Sequence, residues 1–203
     1  GLYKAIEKMD KVLVVSKTTK HLNFIYTKKF VFDQKLTVIA SNSSNDYIII
    51  NSALHVQWIW KYCSTLGSIG INYNSKDGFK TYPRVNEPIP SSDELASENE
   101  ALRIELCQSK DIGLTKVYNE FHDPGVSDPT VQSLRDNHVA IDQAVLKAYG
   151  WDDIELGHDF HEMEYLPEND RVRFTISPEA RKEVLKRLLL LNHERYEKEN
   201  EGK

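Results

Sequence analysis

The chain has 203 residues, is 40% apolar and carries a formal net charge of −5. That size suits one or two globular domains with a real core. Its two cysteines, Cys63 and Cys107, give no disulfide framework, so a reducing, cytoplasmic compartment is the expectation. No apolar run approaches the roughly 20 residues of a membrane span. The first residues, "GLYKAIEKMDK", lack a signal-peptide core and an initiator Met, and a strand pattern follows within a dozen residues. A piece of a longer protein, with no membrane partner, is expected. The charge is uneven. Residues 1–90 carry 12 basic and 6 acidic side chains, and residues 91–203 carry 14 and 25. A net +6 beside a net −11 fits a polyanion-facing module joined to a solvated one. An excess of that size is also ordinary, so the composition of individual loops has to decide.

In chain order, the first half reads as β-rich. "KVLVVS" (11–16), "LNFIY" (22–26), "LTVIA" (36–40) and "YIII" (47–50) are predicted strands, rich in β-branched and aromatic residues. The period then changes. Over 52–66, Val56, Ile59, Cys63 and Leu66 share one helical stripe, and Leu54, Trp58 and Tyr62 share its neighbour. A helix apolar over so much of its circumference is buried, with Ser52 as N-cap and Gly67 as its stop. The stretch "STLGSIGINYNSKDGFKTYP" (64–83) follows, and Pro83, Pro88 and Pro90 then end regular structure. The boundary between the two regions is placed near residue 90.

The second half reads as helical. Ser91 and Glu94 form a capping box for a helix to Lys110, with Leu95, Leu102 and Leu106 inward. A short helix covers 114–121. A longer one covers 130–150, with Val131, Leu134, His138, Ile141 and Val145 at three- and four-residue spacing and Gly150 as its stop. After a strand at 172–176, Ser177 and Pro178 open a last helix to 198 with Ala180, Val184, Leu188 and Leu191 inward.

Catalytic motifs are largely missing. Gly67, Gly70 and Gly78 lack phosphate-loop spacing and no Gly-Lys-Ser/Thr is present. "GHDFHEMEY" holds His158, His161 and carboxylates, but no His-Glu-x-x-His, and reads as a solvated loop. Cys63 and Cys107 lie on helical core stripes and read as structural thiols. His138 reads as a buried, hydrogen-bonded histidine or an interhelical contact rather than a catalytic base. What remains is three polar loops in the basic half: Lys17, Thr18, Thr19, Lys20 and His21; Lys28 and Lys29; and Tyr73, Asn74, Lys76 and Lys80. Lysines suit phosphates, and Thr, His, Tyr and Asn suit base edges.

Four segments in order, "KVLVVSKTTKHLNFIY", "SALHVQWIWKYCSTLGSIGINYNSKDGFKTYP", "GLTKVYNEFHDPGVSDPTVQSLRDNHVAIDQAVLKAYGW" and "LPENDRVRFTISPEARKEVLKRLLLLNHERY", together resemble one family. It is the C-terminal region of large bacterial Type II/IIG-like restriction–modification methyltransferases, which methylate adenine N6 and often carry an endonuclease. "NEFHDP", "AYGW" and "LPENDRVRFTI" are the most specific parts. The resemblance implies an α+β chain: a β-rich target-recognition region with one buried helix (1–90), then a helical region (91–203). It implies double-stranded DNA and a methylase domain of the same polypeptide as partners. The family's Asn-Pro-Pro-Tyr/Phe and S-adenosylmethionine motifs are absent, so catalysis and the cofactor are expected outside this sequence. The alternative is that the helical region is a docking module that never touches DNA.

Overall fold

The computed structural model describes residues 1–28, 30–66 and 70–201, apart from the side chain of Asn169. After a single turn of helix, α1 (Leu2–Ala5), strand β1 (Lys11–Ser16) is the centre of an antiparallel sheet. Strands β3 (Ile25–Lys28) and β4 (Leu36–Ile39) flank it. "VLVV" is an unbroken apolar run because both faces of β1 are covered. Leu13 and Val15 enter the main core, while Val12 and Val14 join Ile6 in a smaller cluster behind the sheet.

The predicted strand at 47–50 is instead part of a helix, α2 (Ser44–Asn51). The Ser43 hydroxyl accepts from the Asp46 backbone N–H and starts it. Tyr47, Ile48, Ile49 and Ile50 are each 0% exposed. An apolar run buried on every side carries no period, so β-branched propensity gave the wrong element. Helix α3 (Ala53–Tyr62) follows after Ser52, whose hydroxyl caps it by accepting from His55 N–H. The first half thus holds two buried helices rather than one. Helix α3 is shorter than expected: Cys63 is already extended, and the expected stop, Gly67, lies outside the described residues.

The helical region contains α4 (Ser92–Lys110), α5 (Leu114–Phe121), α6 (Pro129–Ala148) and α7 (Pro178–Glu201). Ser91 stands at the N-cap of α4 but makes no capping bond through its side chain, so the expected capping box does not form. Helix α6 is capped by Asp128, which accepts from Thr130 and Val131 N–H, and stops at Gly150 with φ +70°. Strands β7 (Asp159–Glu162) and β8 (Val172–Thr175) form a hairpin, with β7 falling in the expected solvated loop.

The architecture is α+β, with small antiparallel sheets against a helical body. The main core spans residue 90: Leu13, Phe24, Tyr47 and Trp58 pack in one cluster with Ile141, Val145, Val184 and Leu188. A second cluster under α4, α5 and α6 contains Leu106, Val117, Phe121, Val131 and Leu134. Between the two lies Arg103, 3% exposed. Its guanidinium donates to Tyr118 Oη (2.7 Å), Phe24 O (2.9 Å), Tyr47 Oη (2.8 Å), and Asn23 and Asn51 Oδ1 (3.3 Å each). Replacing it with methionine keeps most of the volume but strands several buried acceptors, each costly to leave unpaired. Urea denaturation of Arg103→Met is expected to show a loss on the order of 3 kcal/mol in one cooperative transition.

Candidate nucleic-acid interface

Two of the three polar loops meet in a second small sheet. Strand β2 (Thr18–Thr19) pairs with β6 (Ile71–Asn72), which pairs with β5 (Ser64–Thr65). The registers Thr18↔Asn72 and Ser64↔Asn72 set polar side chains side by side across three strands. Tyr73 N–H donates to Lys17 O at 2.6 Å and extends the pairing. Gly70 permits the close approach of these strands. Its φ is +125°, and a Cβ there would sit 2.3 Å from Thr19 O.

Residues 71–74 alternate. Ile71 and Tyr73 are each 1% exposed and anchor the strand, while Asn72 is half-buried and Asn74 exposed. Asn74 caps a short π-helical turn (Ser75–Phe79), accepting from Lys76 N–H at 2.9 Å and donating to Asp77 at 2.8 Å. Gly78 of that turn lies against Ile59 and Cys63, fixing it on the end of α3. Lys76 and Lys80 project outward from it, exposed.

The sequence-predicted residues therefore divide. Lys17, Thr18, Asn74, Lys76 and Lys80 are exposed on this connected surface. Thr19 is half-buried and donates to His21 O at 2.6 Å. Lys20 is engaged, donating to Asn119 at 2.9 Å and pairing with Asp170 at 3.0 Å. His21 is buried, hydrogen-bonded to Asn119 at 2.9 Å with its ring 5.0 Å from that of His122. Tyr73 is buried against Phe24. His21 and Tyr73 therefore sit behind the surface rather than on it: alternation turns Tyr73 inward where its backbone extends the pairing, and His21, beyond the end of β2, is held inward by Asn119 and His122. Lys28 is exposed but pairs in register with Lys11, at the far end of β1, roughly 20 Å along the strand from Lys17. Lys29 lies outside the described residues.

Sequence reasoning missed Lys35, Ser64, Thr65 and Asn72. Lys35 O accepts from Lys17 N–H at 2.8 Å, so two exposed lysines stand side by side. Only the apolar/polar alternation over 71–74 signalled Asn72; no local pattern could bring Lys35 to Lys17.

No metal site forms among the described residues. His158 Nε2 meets Asp142 Oδ2 at 2.8 Å and His161 donates to Gly157 O at 2.8 Å. Burial raises the thiols of Cys63 and Cys107 above their ordinary range, which suits structural roles. Among the described residues, no helix is long and apolar enough to cross a membrane.

No family model matches the chain, and no curated protein matches it. Its fold is similar to that of a solved structure of the Type IIL restriction–modification enzyme MmeI in complex with DNA. The TM-score is 0.61 at 15% sequence identity, over 92% of this chain and 21% of the enzyme. The chain thus has a fold found within a restriction–modification enzyme and spans about a fifth of that enzyme's length.

The strand pairing and the buried histidines can each be tested. Gly70→Ala should separate β2 from β6, read as lost hydrogen-exchange protection of amides at residues 71–73 while β1 stays protected. Burial also lowers His21 and His55 from the ordinary 6.5 to about 4. The unfolded chain therefore binds more protons between those values, so stability is full above pH 6.5 and falls as pH drops toward 4. A melting temperature that declines through that window, less steeply in His55→Gln, is the expected result.

Proposed function

We propose that the chain is the DNA target-recognition part of a restriction–modification enzyme, and that the surface formed by β2, β6 and β5 faces duplex DNA. The observation that carries this is the gathering of Lys17, Lys35, Lys76, Thr18, Asn72 and Asn74 on connected strands and turns. The fold likeness to an enzyme solved with DNA adds support. The lysines neutralise phosphates, while the hydroxyls and amides suit base edges in the major groove, where all four base pairs are distinguishable. By family resemblance the parent is an S-adenosylmethionine-dependent adenine-N6 methyltransferase of the bacterial cytoplasm. Methyl transfer and cofactor binding then belong to a methylase domain of the same polypeptide, which packs with this chain and takes the adenine out of the stack.

A second reading concerns residues 91–203 alone, as a surface that docks on the methylase domain or a partner subunit. The exposed Leu190 and Tyr196 of α7, 61% and 66% exposed, and the net −11 of this half favour it.

Fluorescence anisotropy with duplex DNA across a salt series tests the proposal. Affinity should fall linearly on a log–log plot, and Lys17→Glu with Lys35→Glu should flatten the slope by about 2, one for each phosphate no longer neutralised. Charge reversal at Lys182 and Lys186 on α7 should leave affinity unchanged. Binding insensitive to salt, or abolished only by the α7 changes, would overturn the assignment of surfaces.

A further inference from the structure

The segments "NEFHDP" (119–124) and "LPENDRVRFTI" (166–176) lie outside the surface formed by β2, β6 and β5. The fold nevertheless brings them together beside it. Residues of both line one groove with Lys20, and each segment supplies one of that lysine's partners. Lys20 Nζ donates to Asn119 Oδ1 at 2.9 Å and pairs with Asp170 Oδ1 at 3.0 Å. Lys20 follows β2 directly, and its Cα lies close to Gly70, where an added Cβ would meet it at 3.0 Å. The backbone of Lys20 thus borders the proposed DNA-facing sheet, while its ammonium is held by the helical region.

The groups that hold it do not depend on it. Asp170 is gripped by Arg173 through two bonds, Nη1 to Oδ1 at 2.8 Å and Nη2 to Oδ2 at 2.5 Å. Asn119 Oδ1 also accepts from His21 Nε2 at 2.9 Å. If Lys20 leaves, each acceptor keeps another donor and no buried polar group is stranded. Burial would raise the Asp170 carboxyl; hydrogen bonds from Arg173 first and Lys20 second hold it below its ordinary range instead. Lys110 is the contrast: it pairs with both Glu120 and Asp128, and no other cation pairs with either among the described residues.

The charges of the groove balance, with Lys20, Arg171 and Arg173 against Asp123, Glu168 and Asp170, so it is no anion pocket as it stands. Within it, Lys20 and Arg173 share the single carboxylate of Asp170, which leaves one positive charge in excess. That charge can move. The Lys20 side chain is 35% exposed against 10% for Arg173, and its ammonium ends a flexible four-carbon stem. A partly exposed lysine–carboxylate pair contributes little to stability, so exchanging it for a phosphate costs little.

We propose that Lys20 is a phosphate contact held in reserve: Asp170 and Asn119 restrain its ammonium in the free chain, and duplex DNA meeting the β2–β6–β5 sheet draws it to a backbone phosphate while Asp170 stays with Arg173. The proposal rests on the DNA-recognition reading. It lets the helical region set DNA affinity without touching DNA.

The test uses the full chain with Lys20→Gln, Asp170→Asn and the two together, each measured by fluorescence anisotropy with duplex DNA across a salt series. Lys20→Gln should flatten the log–log slope by about 1, the loss of one phosphate contact. Asp170→Asn lifts the restraint and should tighten binding severalfold. That gain should vanish in the Lys20→Gln background, which a general loss of negative charge would not cause. Glu168→Gln removes an equal charge from the same groove and should leave affinity unchanged. In the wild-type chain, the Lys20 ammonium NMR resonance, assigned by its loss in Lys20→Gln, should shift on titration with duplex. An unmoved resonance, an unchanged slope in Lys20→Gln, or the same Asp170→Asn gain with and without Lys20 overturns the reserve contact, and salt-dependent binding by the wild-type chain then leaves the recognition reading standing. No salt-dependent binding by the wild-type chain overturns both.

Discussion

A buried guanidinium holds the two halves of this chain together. Among the described residues no carboxylate pairs directly with Arg103; its charge is spread over a phenol pair, a main-chain carbonyl and two side-chain amides. Those groups come from the loop before β3, from α2 and from α5, so the interaction works only when all three are in place. Tyr47 extends it, donating to Asn99, which donates to Asn137 on α6 at 2.7 Å. A polar network of this kind is specific rather than merely adhesive: each member satisfies another, and a displaced element leaves buried groups unpaired. Hydrophobic packing brings the halves together, and Arg103 fixes how they meet. Arg135 does the same work locally, collecting the carbonyls of Glu120, Phe121, Asp123 and Val126 where α5 ends.

This arrangement explains why the proposed DNA-facing surface can be irregular. The sheet of β2, β5 and β6 is two residues deep in each strand, too small to be stable by itself. It is steadied from beneath by Ile71 and Tyr73, and from one side by Gly78 against α3. Tyr73 and His21 stand behind the surface for the same reason: they anchor what the exposed residues present.

Where the residues alone gave the right element, the physics was local. Leu95 and Leu106 on α4, Val131 to Val145 on α6, and Ala180 to Leu188 on α7 repeat at helical spacing, and each of these helices forms close to its expected bounds. Ser52, Gly150 and Pro178 mark ends because their preferences act within a few bonds. Where the residues failed, the cause was distant. "YIII" is strand-like by propensity, yet it lies in the Ser43-capped helix α2, buried in the main core. Nothing local to Arg103 signals its burial, since Phe24, Tyr47 and Tyr118 reach it from other elements. Exposure at the candidate interface failed in the same way. Lys20 and Lys17 look alike in sequence, yet Asp170, 150 positions later, engages only the first.

That separation bears on how recognition could be tuned. Along 71–74 the residues that hold the strand and the residues that face outward occupy alternate positions, so they answer to different constraints. Replacing Ile71 or Tyr73 would open a void in the main core, where both belong. Replacing Asn72 or Asn74 touches little of that packing, since their partners are Ser64, Lys76 and Asp77 at the surface. Backbone pairing through Gly70 and Lys17 holds the strand whatever those two side chains are. If this surface reads DNA as proposed, it can change the groups it presents while the polar network around Arg103 and the core beneath stay as they are.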